Sequence, residues 1–93
     1  MKVSEVQPVD LAEFMRLDDY REDEMQRILD SAKAYIRDYT GLTDEEVDTH
    51  ADFLAALLVL CQDMHDNRAM YVEKSNVNRV VESILDMHRV NLL

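Results

Sequence analysis

Residues 22–41 read EDEMQRILDSAKAYIRDYTG, and this stretch decides the fold class. Its apolar side chains recur every three or four residues, which places them on one face of an α-helix. They are Met25, Ile28, Leu29, Ala32, Tyr35, Ile36 and Tyr39. Acids open the stretch, where the helix dipole favours negative charge, and Gly41 suits the left-handed position that often ends a helix. We expect a helix from Tyr20 to Tyr39, about 30 Å long.

A shorter helix is expected on the N-terminal side of this stretch. It begins near Pro8, because proline is favoured in the first turn of a helix. Its apolar side chains are predicted to share one side of the helix and are Val9, Leu11, Phe14 and Met15. The pair Asp18-Asp19 is predicted to end this helix and to cap the next one.

A long third helix is expected over Thr49–Tyr71. It is apolar all round between Phe53 and Cys61, which indicates a helix buried on several sides. The connection before it carries the capping-box pattern Thr43-Asp44-Glu45-Glu46 and has room for one helical turn.

A fourth, shorter helix is expected after a break at residues 74–76, ending near Arg89. Its predicted apolar stripe consists of Val77, Val80, Val81, Ile84, Leu85 and His88. The chain is thus expected to form a small all-α bundle of four helices: a short first helix, two long central helices and a shorter C-terminal one. One Gly and one Pro in 93 residues exclude a turn-rich β-sandwich, and the length suits a single domain over residues 1–93.

The charge is strongly acidic, with 20 acidic and 10 basic side chains and a formal net charge of −10. Residues 1–48 contribute 14 acids and 6 bases, so most of the excess lies in the first half. Clustered Lys and Arg are needed to bind phosphates, so specific DNA binding and adhesion to an anionic membrane are both disfavoured. Without a signal peptide or a long apolar run, we expect a cytosolic protein.

Catalytic patterns are weak. Cys61 and His65 are four residues apart and would share a helical face, as a small cysteine hydrolase would require. However, Asp63 and Asp66 lie nearby and would oppose thiolate formation, which favours Cys61 as a small buried hydrophobe. We therefore expect no enzymatic activity.

Two groups of oxygen and nitrogen donors are candidate metal sites. Side chains two residues apart on a helix point away from each other, so neither group predicts a site and no metal or other cofactor is expected. The first group is Asp48, His50 and Asp52, and the second is Asp63, His65 and Asp66.

The helix order and three motifs resemble the small head–tail connector (adaptor or head-completion) proteins of tailed bacteriophages, also described as DNA-packaging proteins. The motifs are SAKAYIRDYTG at residues 31–41, Asp66-Asn67-Arg68, and VVESILDMHR at residues 80–89. The resemblance covers nearly the whole chain. It implies a virion protein at the head–tail junction that forms a ring of about a dozen copies below the portal protein and resides in the host cytoplasm before assembly.

Such a ring would extend the DNA channel, through which DNA passes without specific binding, and would present a platform for the next connector or tail protein. Copies of this chain are expected to meet through opposite charges, and an apolar C-terminal tail is expected to dock into the portal. The contact residues expected between copies are Glu22, Asp23 and Glu24 on one subunit and Arg27, Lys33, Arg37 or Arg79 on its neighbour. The tail consists of Val90, Asn91, Leu92 and Leu93.

A second hypothesis comes from the acidic first half alone. A small acidic helical regulator, such as a DNA mimic, an anti-repressor or an antitoxin-like module, would sequester a basic partner. It would stay monomeric or dimeric, whereas a connector forms large closed oligomers.

Overall fold

The computed structural model describes residues 1–66 and 79–88, except for the side chains at 79 and 80. Every regular element in these ranges is helical, which confirms the predicted all-α class. A 3-10 turn, Val3–Glu5, precedes five α-helices. These are α1 (Pro8–Met15), α2 (Glu22–Thr40), α3 (Asp44–Asp48), α4 (Asp52–Asp66) and α5 (Arg79–Asp86). None of them combines the length and the apolar character needed to cross a bilayer.

The central helix α4 carries the middle of the core. It packs against α1, α2 and α5, and its innermost side chains have essentially no exposed surface. They are Phe53, Ala56, Leu57, Leu60 and Cys61. The expectation of a helix buried on several sides is therefore confirmed, although α4 begins at Asp52 rather than Thr49. The predicted extension to Tyr71 lies outside the described residues.

Helix α2 supplies the long face that covers α4. Its buried residues follow the predicted spacing, and Gly41 ends it with φ 74° while its N–H donates to the Arg37 carbonyl at 2.8 Å. The predicted start of α2 at Tyr20 is two residues too early. The prediction that Asp18-Asp19 caps α2 is also wrong. Arg16 already ends α1 in a left-handed conformation, so these two acids lie in the connecting segment and Arg21 precedes the first turn of α2.

Helix α1 begins at Pro8 as expected but buries a different set of residues. Its inner face consists of Pro8, Leu11, Ala12 and Met15. Val9 and Phe14 were predicted on that face, yet they are 49% and 45% exposed. Successive residues of an α-helix are rotated by about 100° around its axis. Viewed along that axis, Val9 and Phe14 therefore each lie about 110° from the middle of the buried face, one on either side. The apolar arc of α1 is thus wider than the surface that the rest of the described chain covers.

Helix α3 is the single turn that the connection was expected to hold. Thr43 accepts a hydrogen bond from the N–H of Glu46 at 3.2 Å, and Glu46 accepts one from the N–H of Thr43 at 3.1 Å, which confirms the capping box. The end of α3 also holds the N-terminal turn. Ser4 donates from its backbone N–H and its hydroxyl to the two carboxylate oxygens of Asp48, at 3.0 and 2.5 Å.

Helix α5 lays Val81 and Leu85 against the core, as its predicted stripe requires. It ends at Asp86, earlier than the expected end near Arg89, and His88 follows it in a turn. The hydroxyl of Tyr39 donates to Asp86 at 2.7 Å and joins the last turns of α2 and α5.

Candidate functional site

Two histidines and an aspartate meet where the start of α4 lies beside the end of α5. Nε2 of His88 is 2.8 Å from Oδ2 of Asp52. The rings of His50 and His88 lie face to face at a tilt of 32°, with centroids 4.0 Å apart. One nitrogen or oxygen atom from each of the three side chains falls within 4.8 Å of the others. We call this group the His-Asp-His cluster.

The fold brings these residues together from three short segments. His50 lies between α3 and α4, where its carbonyl accepts the N–H of Phe53 at 3.2 Å. Asp52 is the first residue of α4, where the positive end of the helix dipole favours a carboxylate. His88 follows the last turn of α5, where the negative end of the dipole favours a cation. The packing of α4 on α5 joins the two ends.

One wall of the cluster is apolar and the other side is open. Phe53 is fully buried and its ring forms T-shaped contacts with both imidazoles, with centroids 5.3 Å from His50 and 4.9 Å from His88. The side chain of Asp52 is 40% exposed and that of His88 is 22% exposed. The cluster therefore lies at the boundary between the core, where Phe53 is buried, and the solvent.

The sequence pattern alone did not indicate this cluster. His50 and Asp52 were judged by helical spacing, but His50 precedes α4, so that rule does not apply to it. His88 was assigned to the apolar stripe of the fourth helix, and it lies 36 residues from Asp52 in the chain. No local spacing could have paired them. Asp48, the third residue of the group considered with His50 and Asp52, accepts hydrogen bonds from Ser4 instead.

The second group of donors is Asp63, His65 and Asp66 on α4. His65 contacts its neighbour Asp66, with 3.3 Å between Nδ1 and Oδ1. Within residues 1–66 and 79–88, only the His-Asp-His cluster brings three potential metal ligands together.

The cysteine is poorly suited to nucleophilic chemistry. Burial raises the pKa of Cys61 to about 12, an effect that the positive charge of Lys33 opposes only weakly. The thiol form is therefore strongly favoured at neutral pH. A cysteine nucleophile reacts as the thiolate, so the structure gives no support to the Cys61–His65 pair as a hydrolase site.

Ion pairs within the chain already involve some of the predicted contact residues of α2. Asp23 lies 3.3 Å from Arg21 and 3.7 Å from Arg27, and both pairs are largely exposed. Glu22 is exposed as well, whereas Glu24 is partly buried.

The predicted basic partners lie in different surroundings. Arg37 pairs with Asp44 at 3.0 Å, and Lys33 is partly buried at the rim of a surface pocket that Asp48 also lines. Arg79 is the first residue of α5. The predicted portal-docking tail, residues 90–93, lies outside the described residues.

Searches of protein families, of curated proteins and of solved structures find no match to this chain. Its function is therefore argued from the fold, the surface and the His-Asp-His cluster.

Proposed function

We propose that this chain is a structural head–tail connector subunit of a tailed phage or prophage. In this role it forms a ring below the portal, extends the DNA channel and offers a platform to the next connector or tail protein. The observation that carries the proposal is the uncovered apolar arc of α1, with Val9 on one margin of the buried face and Phe14 on the other.

Two separate apolar margins suit a subunit of a ring. A closed ring is built from heterologous contacts, so each copy presents two different surfaces to its two neighbours. If Val9 contacts one neighbouring copy and Phe14 contacts the other, α1 lies between the two neighbours. Single exposed apolar residues are common on protein surfaces, but here both extend one buried helical face. A small domain with a modest core also gains stability when copies bury apolar surface together.

The charge distribution supports a channel that does not hold DNA. Exposed acids crowd the first turns of α2 and α3. They are Glu22, Asp23, Asp44, Glu45 and Glu46. A wall of carboxylates repels phosphates, so DNA would pass without being bound.

The internal ion pairs are compatible with contacts between copies. Exposed pairs such as Asp23–Arg27 contribute only about 0–1 kcal/mol each. Arg27 or Arg37 can therefore leave its partner within the chain and pair with a carboxylate of a neighbouring copy at little cost in free energy. In this scheme the acidic first turn of α2 supplies the other half of each contact.

Substitutions on α1 test the proposal. Val9→Ser and Phe14→Ser together are expected to abolish assembly, because they remove one apolar contact from each side of the subunit. Glu13→Ser is the matched control, since Glu13 is exposed on the same helix between the two margins. Sedimentation of each variant with the portal protein of the same phage measures assembly, and circular dichroism checks the fold. Assembly by the double variant at the wild-type level would contradict the proposal.

The acidic surface also favours the second candidate, a regulator that sequesters a basic protein. The same sedimentation experiment separates the two functions. A regulator stays monomeric or dimeric with the portal, and its partner binding would depend on Asp44, Glu45 and Glu46 rather than on Val9 and Phe14.

A further inference from the structure

We propose that the His-Asp-His cluster binds a zinc ion, with His50, Asp52 and His88 as its three protein ligands. This inference is independent of the connector function, because it depends only on the three side chains and their surroundings.

The donor atoms are close to the separation that zinc requires. Tetrahedral ligands about 2.0–2.1 Å from zinc lie about 3.3 Å from one another. The contact between His88 and Asp52 is 2.8 Å, and the three donor atoms are all within 4.8 Å. Ligation therefore requires adjustments of about 1.5 Å or less, which rotation of partly exposed side chains can provide.

The donor types select a transition metal. Two imidazole nitrogens and one carboxylate oxygen, with water in the fourth position, form a ligand set typical of zinc sites. Calcium and magnesium prefer oxygen ligands alone, and among divalent metals zinc binds nitrogen donors more strongly than manganese or iron.

The surroundings allow His50 to act as a ligand. Among the described residues, no group forms a hydrogen bond with a ring nitrogen of His50. Phe53 supports both rings from the buried side, which limits the orientations they can take. The carboxylate of Asp52 offsets part of the metal's charge, and the net charge of −10 attracts cations to the molecule.

A zinc ion bound here would cross-link the start of α4 and the end of α5. It would join the segment before α4 to the residue after α5, and it would fix the end of α5 on the core. Bound zinc is therefore expected to raise the thermal unfolding temperature of the wild-type protein, because it binds only the folded arrangement of residues distant in sequence.

Calorimetric titration of the chelator-treated full chain with zinc tests the site. Wild type is expected to bind one zinc per chain, and His50→Gln and His88→Gln are each expected to weaken binding by about 10-fold or more. His65→Gln is the matched control, because His65 is the third histidine of the chain and lies outside the cluster. It is expected to leave the affinity within about 2-fold of wild type.

A second measurement uses wild type alone, so it does not depend on whether the variants fold. Co²⁺ in place of zinc is expected to give the intense visible absorption of a tetrahedral site. The proposal is overturned if wild type binds no zinc, if Co²⁺ gives no such bands, or if His65→Gln weakens zinc binding as much as the cluster variants.

Discussion

At the scale of single residues, two hydrogen-bonded contacts join parts of the chain that are distant in sequence. Ser4 donates to Asp48 and holds the N-terminal turn on α3, and Tyr39 donates to Asp86 and holds α2 on α5. In each contact a hydroxyl that is neutral at pH 7 donates to a carboxylate. Their contributions can therefore be separated by pH and by removal of a single hydroxyl.

The Ser4–Asp48 contact predicts a pH-dependent contribution to stability. The hydrogen bonds from Ser4 lower the pKa of Asp48 below its ordinary value of 3.8, so protonation is favoured in the unfolded chain. The contribution is complete above the unfolded pKa and is lost as the pH falls through the folded pKa. In urea unfolding between pH 7 and pH 3, the stability difference between wild type and Ser4→Ala should shrink at the acidic end. The exposed Ser31→Ala control should show no such trend, and a constant difference for Ser4→Ala would refute this assignment.

Removing the hydroxyl of Tyr39 is expected to destabilise the fold by about 1 kcal/mol, because Asp86 loses its donor. Tyr35 provides the control, since it stacks on Tyr39 at 5.9 Å and its buried hydroxyl has no hydrogen-bond partner among the described residues. Tyr35→Phe should therefore be neutral or stabilising. Equal losses for both variants in urea unfolding would show that the Tyr39–Asp86 bond contributes nothing specific.

At the scale of elements, α4 organises the core because it contacts helices on several sides. Leu57 and Leu60 have no exposed surface, whereas Leu54 on the same helix is only partly buried. Truncation of these side chains should therefore have graded effects along one helix.

Leu57→Ala and Leu60→Ala are each expected to cost about 2–5 kcal/mol, a large fraction of the stability of a small domain. Leu54→Ala should cost distinctly less because its side chain already contacts solvent. Denaturant midpoints of the three variants provide the comparison. A loss for Leu54→Ala that equals the other two would mean that α4 is covered more completely than the described residues show.

The sequence was sufficient for features set by neighbours along the chain. Apolar spacing predicted the face of α2, and the Thr43–Glu46 pattern predicted the capping box of α3, because both depend on residues three or four apart. The exposure of Val9 and Phe14 could not be predicted, since it depends on how much of α1 the other helices cover. The sequence did not predict the His-Asp-His cluster either. Its third member, His88, follows α5 and lies near the other two only because α5 packs on α4.

At the scale of the whole molecule, the proposed ring depends on two surface features, one apolar and one acidic. The apolar arc of α1 extends past its buried face on both sides, and the acidic surface of α2 and α3 would repel phosphates. A monomer gains nothing from uncovered apolar margins, whereas a ring covers them with neighbouring copies. The proposed function therefore predicts a change in the mass of the particle rather than a chemical activity.

Sedimentation velocity of the purified chain, alone and with the portal protein that the proposed connector would contact, is the sharpest test of assembly. With the portal present, we expect about a dozen copies of the 10.9 kDa chain to join it, adding a mass on the order of 130 kDa. A chain that sediments as a 10.9 kDa monomer at every concentration and is unaffected by the portal would contradict the account.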